Sequence, residues 1–386
     1  MAGSIRSLFR LNVGLPCNVL LRNPLVTGAR FMYTEKSLGI NGYESTRLNF
    51  RTQFMNVESA FRTKMEEVCN DEKGMIFTED LKAMLHLAQK KEEDLQLIMK
   101  MMQKFNKQNK ELRFGTFIFG PVVMRALYYL DEPKLALNLF KDPTMENFFD
   151  QLTTYQILLC LLYKHNMYAD MREIFHTIQA KCLNGNRHPR NSLILVFAAC
   201  YKENTPQSFE YALDVWKDLT QTGFVFMRRC VTFLTALALK QNSPEVAMEI
   251  ITTIKEPRYI DARCLKVLVY ANLHRYLDVI SLCRRSIENE RNYAEKECYF
   301  HDVITAIEEL VKDKNTDEAA ELRKVISTLK EHGYVLQSET LDNHICTPIV
   351  TSQRTFGRQT FVPQHGFEKT DRYRQPMNRS GLRDLL

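Results

Sequence analysis

The chain has 386 residues, 45% hydrophobic and 25% charged, which supplies a large core or a long stack of small ones and excludes disorder throughout. Its formal net charge of +6 resides at the two ends: +4 over residues 1–34, where Arg6, Arg10, Arg22 and Arg30 meet no acid, and +4 from Cys346 onward, leaving −2 between them. Overall basicity is therefore no evidence for a nucleic-acid groove, and no apolar run approaches the roughly 18 to 20 residues of a membrane span.

Residues 1–33 read as a mitochondrial transit peptide, because Ile5, Leu8, Phe9 and Leu11 alternate with arginines on an amphipathic segment without acids. A secretory leader is disfavoured, since Asn12, Pro16, Asn18 and Arg22 interrupt its apolar core. Cleavage is expected between Arg30 and Tyr33, with delivery to the matrix. Residues 34–75 form a mixed polar extension with one helix expected around Asn56 to Val68.

From 76 to 334 the apolar residues fall at i, i+3, i+4 and i+7, the spacing that lines one face of a helix. The pattern runs through Leu95-Ile98-Met99-Met102, Met171-Ile174-Phe175-Ile178 and Ala212-Val215-Trp216-Leu219. It continues in Ala247-Ile250-Ile251-Ile254, Tyr276-Val279-Ile280-Cys283 and Leu322-Val325-Ile326-Leu329, with Ala136-Leu139-Phe140 as a truncated copy. Anchors Ile98, Leu139, Ile174, Val215, Ile250, Val279 and Val325 are spaced by 41, 35, 41, 35, 29 and 46 residues. A second apolar segment precedes most of them: Thr78–Gln89, Thr116–Tyr129, Thr154–Lys164, Ser192–Lys202, Arg229–Lys240, Ile260–Asn272 and Lys296–Val311. Asp131-Glu132-Pro133, Thr205-Pro206, Ser243-Pro244 and Asn315-Thr316-Asp317-Glu318 supply helix starts, and Gly333 supplies a left-handed stop.

One pair of short helices cannot bury both of its apolar faces, so the hairpins must stack on one another. An all-α, right-handed solenoid of about seven units is expected. Residues 335–386 lack any period and are expected to form a basic, largely disordered tail. Phe356, Phe361, Phe367 and Tyr373 are interleaved there with arginines, a pattern suited either to stacking on bases or to a protein partner.

The unit resembles the pentatricopeptide repeat. Thr154-Tyr155-Gln156-Ile157-Leu158-Leu159, Lys164-His165-Asn166 and Met171-Arg172-Glu173-Ile174-Phe175 reproduce its Thr-Tyr opening, its Lys-x-Gly-like turn and its second helix. Phe119–Arg125, Phe197–Lys202 and Ala236–Asn242 are similar to segments of the same family. The tetratricopeptide pattern, with Trp and Leu-Gly at fixed offsets, is missing. The resemblance implies a solenoid of degenerate pentatricopeptide-type hairpins. It also implies an organellar protein that acts on mitochondrial RNA maturation and, through it, on the respiratory chain. Its partners would be single-stranded mitochondrial RNA and RNA-processing or ribosomal proteins.

In such repeats the residue after Thr-Tyr is polar and helps to select a base, a role open to Gln156. The next unit departs from this pattern, with Ser192-Leu193-Ile194, and the uneven spacings break a one-base-per-repeat register. No target sequence can be decoded. Arg228, Arg229, Arg263 and Lys266 lie on first helices and are candidate phosphate contacts.

No catalytic constellation, cofactor motif or zinc pattern is found. Gly115 and Gly120 have phosphate-loop spacing, but Pro121-Val122 stands where Lys and Ser or Thr are required, and helix initiation is the better account. His344-Ile345-Cys346 lacks a second pair of ligands. Glu66-Glu67, Glu92-Glu93-Asp94 and Glu308-Glu309 read as solvated faces. The ten cysteines, none in a CxxC, read as reduced small hydrophobes. The chain is thus expected to be a non-catalytic RNA binder, with a protein–protein adaptor in ribosome or respiratory-chain assembly as the alternative.

Overall fold

A computed structural model describes residues 31–112, 117–255, 258–289 and 296–349. The expected transit segment up to residue 30 and the basic tail from 350 lie outside the described residues.

A short helix α1 (Glu35–Leu38) leads into α2 (Ile40–Phe54) and α3 (Glu58–Asn70). Seven hairpins follow: α4 (Thr78–Leu87) with α5 (Glu92–Leu112), α6 (Gly120–Leu130) with α7 (Pro133–Lys141), α8 (Leu152–Lys164) with α9 (Tyr168–Lys181), and α10 (Arg190–Glu203) with α11 (Pro206–Gln221). Then come α12 (Arg228–Lys240) with α13 (Pro244–Ile251), α14 (Ile260–Asn272) with α15 (Tyr276–Asn289), and α16 (His301–Val311) with α17 (Asp317–Glu331). The chain is an all-α stack of hairpins, as the periodicity implies. From α2 to α16 each first helix packs on the next, and α7, α9, α11 and α13 wedge against the first helix of the following unit.

Local chemistry explains the hairpins. Pro133, Pro206 and Pro244 each open a second helix, where the missing amide would have had no intrahelical partner. The Thr205 and Thr316 hydroxyls accept from the Ser208 and Ala319 amides and cap α11 and α17. Within five successive hairpins the chain reverses through one left-handed residue: Asp131, Asn166, Asn204, Asn242 and His274, with φ between 50° and 58°. Asn and Asp tolerate that conformation better than most side chains do, and Gly333 takes it after α17.

The uneven anchor spacing has a structural cause. Helix α5 is 21 residues long and α13 only 8, and 3-10 turns at Pro143–Met145 and Leu183–Gly185 lengthen two connections. Length variation is thus absorbed in the helix ends and connections, while the stacked faces keep their contacts.

Three findings differ from the expectations. The extension 34–75 holds α3, which matches the helix expected around Asn56 to Val68, and two further helices that were not expected, α1 and α2; α2 packs on α4 and α3 on α5. A two-residue strand β1 (Tyr299–Phe300) pairs in parallel with β2 (Val335–Leu336) at the last unit. The ordered body runs past 334: α18 (Leu341–Ile345), capped by the Thr340 hydroxyl, packs on α12 and α14, and Leu341, Ile345 and Cys346 are buried. Residues 335–349 carry Glu339 and Asp342 but no Lys or Arg, and their apolar side chains dock on the stack, so the disordered tail expected from 335 cannot begin there.

At the opposite end, Met32 and Tyr33 are buried, Tyr33 pairs with Ile349 in an isolated parallel bridge, and the Ile349 amide donates to the Met32 carbonyl at 2.8 Å. The expected presequence boundary at residue 33 therefore falls inside a packed element.

Candidate nucleic-acid interface

The first helices form a continuous layer whose sides contact neighbouring first helices and the second-helix layer. On a bare solenoid the remaining side would be open, yet every residue of α10 from Ser192 to Tyr201 is buried. The chain's own ends cover part of this side: α1 lies on α8, the Arg125 Nε donates to the Leu38 carbonyl at 2.9 Å, α18 lies across α12 and α14, and the Tyr201 hydroxyl at the end of α10 reaches Asp342 of α18.

Gln156, on α8, is partly exposed, and its amide oxygen accepts from Asn191 Nδ2 of the next unit at 3.0 Å. Arg228 opens α12, pairs with the fully buried Asp261 and stacks over the Tyr259 ring at 4.0 Å. Arg229 donates to the Ile345 carbonyl of α18, and burial holds its guanidinium below the ordinary value. Arg263 is only 5% exposed, donates to the Cys298 carbonyl at 2.9 Å and lies 3.8 Å from Glu297. Lys266 has no ion-pair partner among the described residues; burial, with Arg285 nearby, holds its ammonium below the ordinary value. These residues do not make one cluster. Three of the four cations serve internal acceptors, because positions at the start of a first helix face the loop of the next unit or the covering segment.

A second row of cations lies at the hairpin turns. Lys164-His165-Asn166, Lys202-Glu203-Asn204 and Lys240-Gln241-Asn242 repeat Lys-x-Asn at intervals of 38 residues. The asparagine is the left-handed turn residue, so each lysine stands at the C-terminal end of its first helix, where a cation also complements the helix dipole. Lys164 pairs with Asp131 at 2.6 Å. Lys202 and Lys240 converge on one carboxylate of α18, Asp342, at 3.5 and 3.4 Å, and the Tyr201 hydroxyl donates to it at 2.6 Å. Lys240 also lies 3.7 Å above the Tyr201 ring. Burial works against a charge on Asp342, but Lys240, the Tyr201 hydroxyl and Lys202 outweigh it and hold the carboxyl below its usual range. The legible signal was this recurrence, which the irregular spacing of the apolar anchors obscured.

No group of three or more metal-ligating side chains converges among the described residues. The Glu92-Glu93-Asp94 run occupies the first turn of α5, where acids favour the helix dipole, and Asp94 caps Gln89 and pairs with Arg62. Gly120 opens α6 against Gln151, Thr154 and the Phe148 carbonyl, and a Cβ there would crowd all three, lying 3.1 Å from that carbonyl oxygen, so close packing accounts for this glycine without phosphate binding. Six of the nine described cysteines are buried, none is disulfide-bonded, and burial raises the Cys200, Cys264 and Cys283 thiols to about 12. No helix among the described residues is long and apolar enough to cross a membrane.

No family model matches the chain. It is similar to proteins named pentatricopeptide repeat-containing protein 2, mitochondrial. The Homo sapiens protein is 24% identical over 361 residues, covering 91% of both chains. That of Mus musculus is 26% identical over 81% of this chain and 83% of its own, and that of Danio rerio 29% identical over 56% and 55%. By its Lys-x-Asn turns, its stacked hairpins and this end-to-end similarity, the chain resembles the mitochondrial pentatricopeptide repeat proteins.

Proposed function

We propose that the chain is a non-catalytic, single-stranded RNA-binding protein of the mitochondrial matrix, acting in RNA maturation and thereby on the respiratory chain. The observation that carries this reading is the row Lys164, Lys202 and Lys240, one ammonium per repeat at equivalent places on three consecutive units. A polyanion tracking the stack requires such a periodic cation. Gln156, bridged to Asn191 at the unit boundary, is the group suited to a base edge, and Lys266 remains a phosphate contact. Arg228 and Arg263 donate to Asp261 and Cys298 within the stack and hold the fold, whereas Arg229 donates to the Ile345 carbonyl of the covering helix α18.

Crosslinking in mitochondria followed by sequencing of bound RNA tests the reading. Enriched mitochondrial transcripts support it, and their absence removes it. A second reading, a protein–protein adaptor in ribosome or respiratory-chain assembly, is favoured by the cover that α1 and α18 lay over the first-helix layer. Recovery of a defined protein partner without RNA selects that alternative.

A further inference from the structure

Lys202 and Lys240 are neutralised differently from Lys164. Asp131, which meets Lys164, belongs to the turn of the preceding hairpin and is part of the stack. Asp342, which meets the other two, arrives from more than a hundred residues away on the five-residue helix α18. The same segment presents its Ile345 carbonyl to Arg229. A carboxylate on two lysines and a tyrosine hydroxyl, with a carbonyl oxygen on an arginine, is the acceptor pattern that a phosphodiester strand would offer to those donors.

We propose that the segment from Thr340 to Ile349 is an intramolecular gate, which occupies the repeat face in place of RNA and must leave before RNA can reach Tyr201, Lys202, Arg229 and Lys240. This rests on the RNA-binding reading above and adds how that site is controlled. The gate is fastened by few groups. Leu341, Ile345 and Cys346 are its buried apolar anchors, and Ile349 is latched to Met32. Its Leu341 amide donates to Asp302 Oδ2 at 3.0 Å. RNA binding and gate docking exclude each other, so the apparent affinity is the intrinsic affinity scaled by the open fraction.

The test uses the full mature chain with a 20-nucleotide single-stranded RNA. Two readouts are taken: fluorescence anisotropy over a range of salt, and N-ethylmaleimide labelling of Cys346, located by peptide mass spectrometry. Cys346, itself an anchor of the gate and 1% exposed when docked, reports its opening. RNA is expected to accelerate Cys346 labelling. Asp342→Asn is expected to bind about tenfold tighter if the closed form holds nine-tenths of the population. Its salt slope should be steeper by about 1.4, the value for two freed lysines on a single strand. A second variant, with Thr340 to Thr347 replaced by a Gly/Ser linker of equal length, gives the fully open state and is checked for helicity by circular dichroism. If RNA binds the wild-type chain with Cys346 still protected, and Asp342→Asn binds no tighter, the segment is a permanent wall and the gate is refuted. If none of the three folded proteins binds RNA at low salt although the linker variant exposes the face, the RNA reading fails, and the gate with it.

Discussion

Trp216 is the sharpest probe of the stacking register. It lies on α11, is 6% exposed, and its ring stacks at 3.9 Å and 20° on Phe226, in the connection leading to the next hairpin. Trp216→Ala removes a large buried aromatic at a junction between units, a change that costs about 3 to 5 kcal/mol when the cavity cannot collapse. Loss of the aromatic pair is included in that figure, since pairs of this kind contribute about 0.5 to 1.5 kcal/mol beyond their burial. At roughly 2 °C per kcal/mol for a domain of this size, the melting temperature should fall by about 6 to 10 °C. Circular dichroism is the suitable assay, because the substitution removes the only tryptophan. Phe226→Leu should show a smaller loss in the same transition, and the two losses should be less than additive in the double variant, since the rings share one contact. An unchanged melt for Trp216→Ala would mean that this face is not packed between units and that the repeat register is wrong.

Changing Arg6, Arg10, Arg22 and Arg30 to Glu should abolish mitochondrial import, measured by uptake into isolated organelles; normal uptake refutes the targeting expectation. Because Met32 and Tyr33 are buried, the processed protein should begin no later than Met32, and mass spectrometry finding Thr34 or a later residue at the N-terminus would contradict this. Arg228→Ala strands the fully buried Asp261 and should cost about 3 kcal/mol in urea unfolding, and an undisturbed midpoint would count against the pair. Asp342 has a depressed carboxyl, so its contribution is present above the unfolded value near 3.9 and is lost as pH falls through the folded one. The stability gap between wild type and Asp342→Asn should therefore be constant well above the unfolded value and narrow as pH falls below it, and a gap independent of pH refutes the assignment. Gln156→Ala should alter base preference while leaving the salt slope intact, and the reverse pattern would make Gln156 a backbone contact.

The stack was legible because its signal is repeated: the sets around Ile174, Val215 and Ile250 each fill one helix face, and prolines mark the starts of α7, α11 and α13. Helix α3 was legible, but α2 was missed because it is polar, with Leu48 exposed and only Ile40, Tyr43 and Arg47 buried. The fate of the arginines was not legible. Arg228, Arg229 and Arg263 find acceptors about 33, 116 and 35 residues away, and a local pattern holds no information about such distant partners. Helix α18 is only five residues long, too short for a period to announce it, and its docking is decided by Ile345 and Cys346 finding an apolar face far back in the chain.

The hydrogen bond from Ile349 to Met32 changes what kind of object the stack is. An open array of repeats behaves as a one-dimensional chain, in which end units fray independently and folding can begin anywhere and spread. Joining positions 317 residues apart turns that chain into a buckled belt. Its terminal units lose their freedom to fray alone, and unfolding gains a long-range cooperative step. Closing the buckle adds contacts of high sequence separation, so it must come last and slowly, after the hairpins have formed from local contacts. Refolding should accordingly show fast recovery of helicity followed by a slower phase in which Cys346 becomes protected, and cutting the latch should remove the second phase while sparing the first.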